Sequence, residues 1–205
     1  AKIFLIKKLI INYYSFIYQI ILKDKQMSYL ILVRHGQSVW NLEKKFTGWV
    51  DVDLTDNGKL EAKKAGQLIK QEQIEIDLYY SSFQLRAKNT LKIIQEELQD
   101  FKEVKNAWEL NERHYGALTG LNKDETKKNI GEKQFKKYRR SWDISPPPMP
   151  DDSEYLSDFS PLNSSIPIGM IPFTESLKNT YERVVPFYDS EIKKNLALSK
   201  NVLIS

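Results

Sequence analysis

The chain has 205 residues, 41% of them hydrophobic and 28% charged, which suits one globular domain with a real core. It contains no cysteine, which excludes a thiolate nucleophile, a disulfide framework and a Cys-ligated zinc. Of its 31 lysines and arginines and 27 acids, five lysines and one aspartate fall in residues 1–26, so 27–205 is left with 26 of each sign and carries no nucleic-acid footprint.

Residues 1–26 differ in kind from the rest of the chain. The apolar run "LIINYYSFIYQIIL" (9–22) is interrupted by Asn12, Ser15 and Gln19. Its 14 residues fall short of the ~20 that span a bilayer. Lysines flank it as in a signal peptide, yet no small-residue cleavage site comes after it. It is built from residues of AT-rich codons, and the first methionine is Met27. The expectation is a domain that starts at Met27, with 1–26 a non-native leader outside the fold.

From there apolar runs alternate with helical patterns. "YLILV" (29–33) reads as a buried strand. Thr55 suits a helix N-cap with Asp56 in the first turn, and Ala62, Ala65 and Ile69 then share one face. "IDLYYSS" (76–82) reads as a second strand. Ser82 is the expected cap of a helix in which Ala87, Leu91, Ile94 and Leu98 repeat at helical spacing. Residues 141–173 hold seven of the eight prolines and read as an irregular excursion. A helix is expected to resume near Thr174, with Leu177, Tyr181, Val184 and Tyr188 on one stripe and a kink at Pro186. "NVLIS" (201–205) is a last strand. The order implies an α/β domain with a mainly parallel sheet flanked by helices.

In such sheets ligands bind beyond the carboxyl ends of the strands. Arg34 and His35 come after the first strand, and Ser81, Ser82 and Arg86 after the second. Two guanidinium groups suit an anion, and a neutral imidazole between them can attack phosphorus. Taken alone, Arg-His-Gly fits equally well a strand-end histidine that only hydrogen-bonds a loop.

Five separated stretches, in order, break that tie: "RHGQSVWNLEKKFTGWVDVDLTDNG", "YYSSFQLRAKNT", "LNERHYGALTGLNKDET", "YRRSWDISPPP" and "TESL". Together they resemble the 2,3-bisphosphoglycerate-dependent phosphoglycerate mutases of the histidine phosphatase superfamily, from about Tyr29 to Ser205. The resemblance implies glycolytic exchange of 3- and 2-phosphoglycerate in the cytoplasm through a phosphohistidine, primed by 2,3-bisphosphoglycerate and needing no metal. It implies small phosphoglycerates as ligands and leaves a homo-oligomer open. His35 matches the nucleophile, Arg34 and Arg86 the phosphate-binding arginines, and Glu112 the proton donor and acceptor. Ser38, Asn41, Thr47 and Gly48 match phosphate- and substrate-contacting positions. Arg113 and Tyr115 match substrate neighbours, and Lys123, Arg139 and Arg140 the cations for carboxylate and second phosphate. This division suits phosphoryl transfer, which needs positioning and charge neutralisation above all.

His114, Trp40, Phe46 and Trp49 are expected to pack rather than react, and Gln37 stands where the family commonly has Glu. The family also continues past a strand like "NVLIS" with a second active-site histidine and a closing helix. Neither His35 nor His114 can take that histidine's place. The expectation is therefore a C-terminally incomplete domain whose last strand exposes apolar surface and whose turnover is low. The alternatives are a phosphatase of the same superfamily, or an inactive phospho-ligand-binding fragment.

Overall fold

The computed structural model describes residues 3–7, 28–159, 166–167 and 169–205. Five strands, β1 (Ile3–Lys7), β2 (Tyr29–Val33), β3 (Leu78–Ser81), β4 (Val104–Asn106) and β5 (Val202–Ile204), form one sheet of order β1-β2-β5-β3-β4. Strands β2, β5, β3 and β4 run parallel, in register Leu30↔Val202, Leu78↔Val202 and Tyr79↔Val104. Strand β1 pairs antiparallel with β2, Ile3 opposite Val33, so this part of 1–26 lies on the sheet rather than outside the fold. A row of unpaired groups on the edge of β2 is open to any strand, and Ile3–Lys7 takes it. The apolar run 9–22 lies outside the described residues.

The helices among the described residues are α1 (Val39–Leu42), α2 (Asp56–Gln71), α3 (Leu85–Leu98), α4 (Lys123–Arg140, broken at Gly131), α5 (Leu177–Phe187) and α6 (Lys193–Ala197). None among the described residues is long and apolar enough to cross a membrane. Thr55 caps α2 as expected, accepting from Gly58 N–H. Ser82 does not cap α3: the N-cap is Gln84, which gives no side-chain cap because its amide is engaged elsewhere. Ser176, not Thr174, begins α5, through a capping box with Asn179. Pro186 lies within α5, and the helix widens into a π turn over Tyr188–Ile192.

Helices cover both faces of the sheet, which is why its strands read as unbroken apolar runs. Ile31, Val33, Tyr79 and Leu203 pack with Ala65, Ile69, Leu91 and Ile94 of α2 and α3. Leu30, Tyr80 and Val202 pack with Ile192, Phe187, Tyr188 and Leu196 on the other side. The stripe expected on α5 holds at Tyr188, which packs on the core, but Leu177 and Tyr181 are exposed, and Phe187 and Ile192 take up the packing instead. The last strand is not uncovered either. Leu203 packs under α2 and α3 and Val202 under Ile192 and Leu196, and each is 0% exposed. Among its described residues the proline-rich excursion is irregular apart from a short 3-10 turn (Glu154–Phe159), and it buries Met149 and Ile166 against Trp49 and Val50.

Candidate active site

The carboxyl ends of β2, β3 and β5 open into a cleft of about 310 Å³ lined by Arg34, His35, Ser82, Gln84, Glu112 and Ser205. At its entrance Gly36 meets Gly58 of α2 so closely that a Cβ on Gly36 would lie 2.1 Å from the Gly58 carbonyl oxygen. Only two glycines let the histidine loop and the helix approach this far.

The tautomer of His35 is set by its own backbone. Its Nδ1 lies 2.7 Å from the Gly36 carbonyl oxygen, which can only accept, so the proton sits on Nδ1 and Nε2 keeps its lone pair. Burial, then the Arg86 cation, pulls the imidazole pKa down from 6.5 to about 4, against the opposing Gly36 bond and Glu112 charge. The ring is neutral at physiological pH.

Arg86, 0% exposed in the first turn of α3, braces the neighbouring loop. Nη1 donates to Val50 O at 3.0 Å, and Nη2 to Gly48 O at 2.8 Å and Glu112 Oε2 at 2.9 Å. Its Nε is buried with no partner among the described residues. Gly48 adopts φ +57°, and a Cβ there would sit 3.2 Å from both Arg113 O and Tyr115 N. Its carbonyl takes a second bond from Gln84 Nε2 at 2.7 Å, while Gln84 Oε1 accepts from Glu112 N–H at 3.1 Å. Gly48 and Glu112 are thus tied together by two side chains from one helix start.

Cations surround the carboxylate. Arg113, 6% exposed, stacks over the Tyr115 ring at 4.8 Å and donates to Tyr138 O at 3.0 Å; its Nη1 is buried without a partner among the described residues. Burial, then Glu112, pushes the Tyr115 hydroxyl pKa up. Lys123 bonds the Lys45 carbonyl and lies over Phe46. Burial lowers its pKa, with Arg139 and Arg34 adding to this and Glu112 opposing, so all four charges share one field.

Other expected residues lie differently. Ser38 and Asn41 bond each other in the capping box of α1, and Ser38 is fully buried. Thr47 is buried, its Oγ1 without a partner among the described residues. Arg140 is exposed and lines a separate depression along α4 with Lys127, Lys136 and Arg139. His114 is a packed residue: Gly116 N–H donates to its Nδ1 at 2.9 Å, and burial pulls its pKa down to about 4. Phe46 and Trp49 are 0% exposed, as expected of loop anchors. Sequence reasoning missed Gln84, whose type carries no periodic signal, and the partnership of Glu175 with Arg183. Among the described residues no cluster of histidine and carboxylate side chains could hold a metal ion.

Residues 30–204 match the model of the histidine phosphatase superfamily, branch 1. A 2,3-bisphosphoglycerate-dependent phosphoglycerate mutase of Pelagibacter ubique is 61% identical over 183 residues, covering 87% of this chain and 75% of that protein. The mutase of the same name from Nautilia profundicola is 47% identical over 180 residues, covering 87% and 79%. Among solved structures, a mycobacterial glucosyl-3-phosphoglycerate phosphatase complexed with VO3 superposes with TM-score 0.63 at 20% identity, over 85% of this chain and 73% of that one. A phosphoglycerate mutase from Thermus thermophilus gives 0.55 at 23%, over 85% and 75%. At these identities the structures bear on the fold alone. The sequence relatives reach further: the chain belongs to branch 1 of the histidine phosphatase superfamily and, within it, to the family of 2,3-bisphosphoglycerate-dependent phosphoglycerate mutases.

Proposed function

We propose that this protein interconverts 3-phosphoglycerate and 2-phosphoglycerate through a phosphohistidine at His35, as a cytoplasmic enzyme. The observation that carries the reading is the state of His35: neutral, protonated on Nδ1 and lining a cleft beside Arg86 and Glu112. Nε2 attacks phosphorus while Arg34 and Arg86 offset charge on the phosphoryl oxygens. Glu112 gives a proton to the leaving oxygen and recovers one from the hydroxyl that is phosphorylated next. Arg113, Lys123 and Arg139 hold the carboxylate and the second anionic group, and the unpartnered Nη1 of Arg113 fits such a ligand. Bound 2,3-bisphosphoglycerate, which the same cations suit, supplies the phosphoryl group that first charges His35. The names of the close sequence relatives support this choice of substrate and primer.

The test is incubation with 32P-labelled 2,3-bisphosphoglycerate, then assay of acid-labile phosphohistidine and of 2-phosphoglycerate formed from 3-phosphoglycerate. Label on His35 and slow transfer to the glycerate are expected, and both are lost in His35→Ala. Release of inorganic phosphate without transfer would make the protein a phosphatase instead.

A further inference from the structure

Behind the cleft lies an ion pair that the reaction does not touch. Glu175 and Arg183 are only 3% and 9% exposed at their side chains, and Arg183 meets Glu175 through Nε at 2.6 Å and Nη2 at 2.9 Å. Arg183 Nη1 donates to Glu109 O at 2.6 Å, and Nη2, shared with Glu175, also to Asn111 O at 2.9 Å and Glu112 O at 3.2 Å, all on one stretch of backbone. Glu175 holds His114, two residues further on, from both sides, its Oε2 accepting from His114 N–H at 2.8 Å and its own N–H donating to His114 O at 3.0 Å. Trp49, with Arg183 stacked over its ring, donates Nε1–H to Glu112 O at 2.7 Å.

An ion pair kept for stability alone has no need to converge on the carbonyls of a single irregular segment. Glu112 lies between two short 3-10 turns, Trp108–Leu110 and Gly116–Leu118, so no regular element holds its backbone. The planar guanidinium fork can bind several acceptors at once, which an ammonium cannot. We infer that Glu175 and Arg183 are a positioning pair for Glu112, fixing its backbone so that its carboxyl meets the leaving oxygen on the phosphorus. This rests on the reading of Glu112 as the proton donor. In that step the P–O bond breaks, the bond from phosphorus to His35 Nε2 forms, and the Glu112 proton passes to the departing alkoxide. A displaced carboxyl slows expulsion of an alkoxide and spares a leaving group that needs no proton.

The test is Arg183→Lys, which keeps the charge facing Glu175 and loses the fork. Phosphorylation of His35 is measured with 2,3-bisphosphoglycerate, which leaves as an alkoxide, and with p-nitrophenyl phosphate, which leaves as a stable anion. The expected result is a kcat loss of about 30-fold or more on the first, within the range a positioned acid supplies, with KM and the second substrate changed less than about threefold. Glu175→Gln is the second variant, should the first not fold, and is expected to show the same selectivity. An equal loss on both substrates, or no loss in a folded variant, would overturn the proposal. Without turnover, the indole N–H resonance of Trp49 reports the Glu112 carbonyl directly, and an unmoved resonance in Arg183→Lys also overturns it. A wild-type protein that phosphorylates His35 but never moves phosphate between glycerate positions defeats the mutase reading, while the leaving-group comparison still decides the pair.

Discussion

Acidification from pH 7.5 to 5 should destabilise this protein through its two histidines. Both have folded-state pKa values near 4, each pulled down chiefly by burial, against 6.5 for the ordinary imidazole. Between those values the unfolded chain binds protons that the folded chain refuses, so stability is lost as pH falls below 6.5 and the loss levels off near 4. At pH 5 the unfolded imidazole is almost wholly protonated and the folded one about a tenth so, which costs about 2 kcal/mol per histidine. The two together come to about 4 kcal/mol, or a fall in Tm of roughly 8–16 °C for a chain of this length. Carboxylates contribute little in this window: Asp124 and Glu132 are held below their usual range by hydrogen bonds from Lys44 and Lys136, so they stay ionised at pH 5. Scanning calorimetry at the two pH values measures the effect in the wild type and in His35→Ala, which keeps only the His114 half. The variant should lose about half as many degrees as the wild type between the same pH values. Equal losses in the two proteins would refute the assignment of His35 as a buried neutral base.

Three further outcomes are expected from the same contacts. Arg86→Ala should weaken 3-phosphoglycerate binding by about 10- to 100-fold in titration calorimetry, far more than Lys63→Ala on exposed α2, because charge-assisted bonds to a phosphate are lost; equal affinities would remove Arg86 from the site. Gln84→Leu leaves Gly48 O still held by Arg86 but strands the Glu112 N–H, so a loss of about 2–3 kcal/mol is expected in urea melts. An unchanged midpoint would show that this amide contributes nothing to the fold. Gly48→Ala forces a Cβ onto φ +57° beside Arg113 and Tyr115, and should cost about 1–2 kcal/mol while raising KM for phosphoglycerate; a variant with wild-type melting and KM would refute the strain.

Much of this architecture was legible in the chain because it is local. A four- or five-residue apolar run announces a strand buried on both faces, and Thr55 with Asp56 after it announces a helix start, whatever packs against them. The candidate site residues Arg34 and His35 stood out as well, since a cation and an imidazole at a strand end need a chemical reason. What the sequence could not carry was which side chains place their hydrogen bonds on backbone far away. Ser38 matched a ligand-contacting position, yet it closes a capping box with Asn41. Ser82 read as a helix cap, yet Gln84 takes that place and joins Gly48 to Glu112 across 36 and 28 residues. The last strand read as exposing apolar surface for want of a closing helix, yet α2 and α3, distant in the chain, cover one face, and Ile192 and Leu196 cover the other. Composition and spacing determined strands β2, β3 and β5, the start of α2 and the kind of chemistry at the strand ends. Tertiary structure alone decided that β5 is central, that His35 is neutral, and that Glu175 and Arg183 grip the segment bearing Glu112. The physical reason is that burial and long-range hydrogen bonds depend on which segments meet, and a linear pattern records only what each segment prefers by itself.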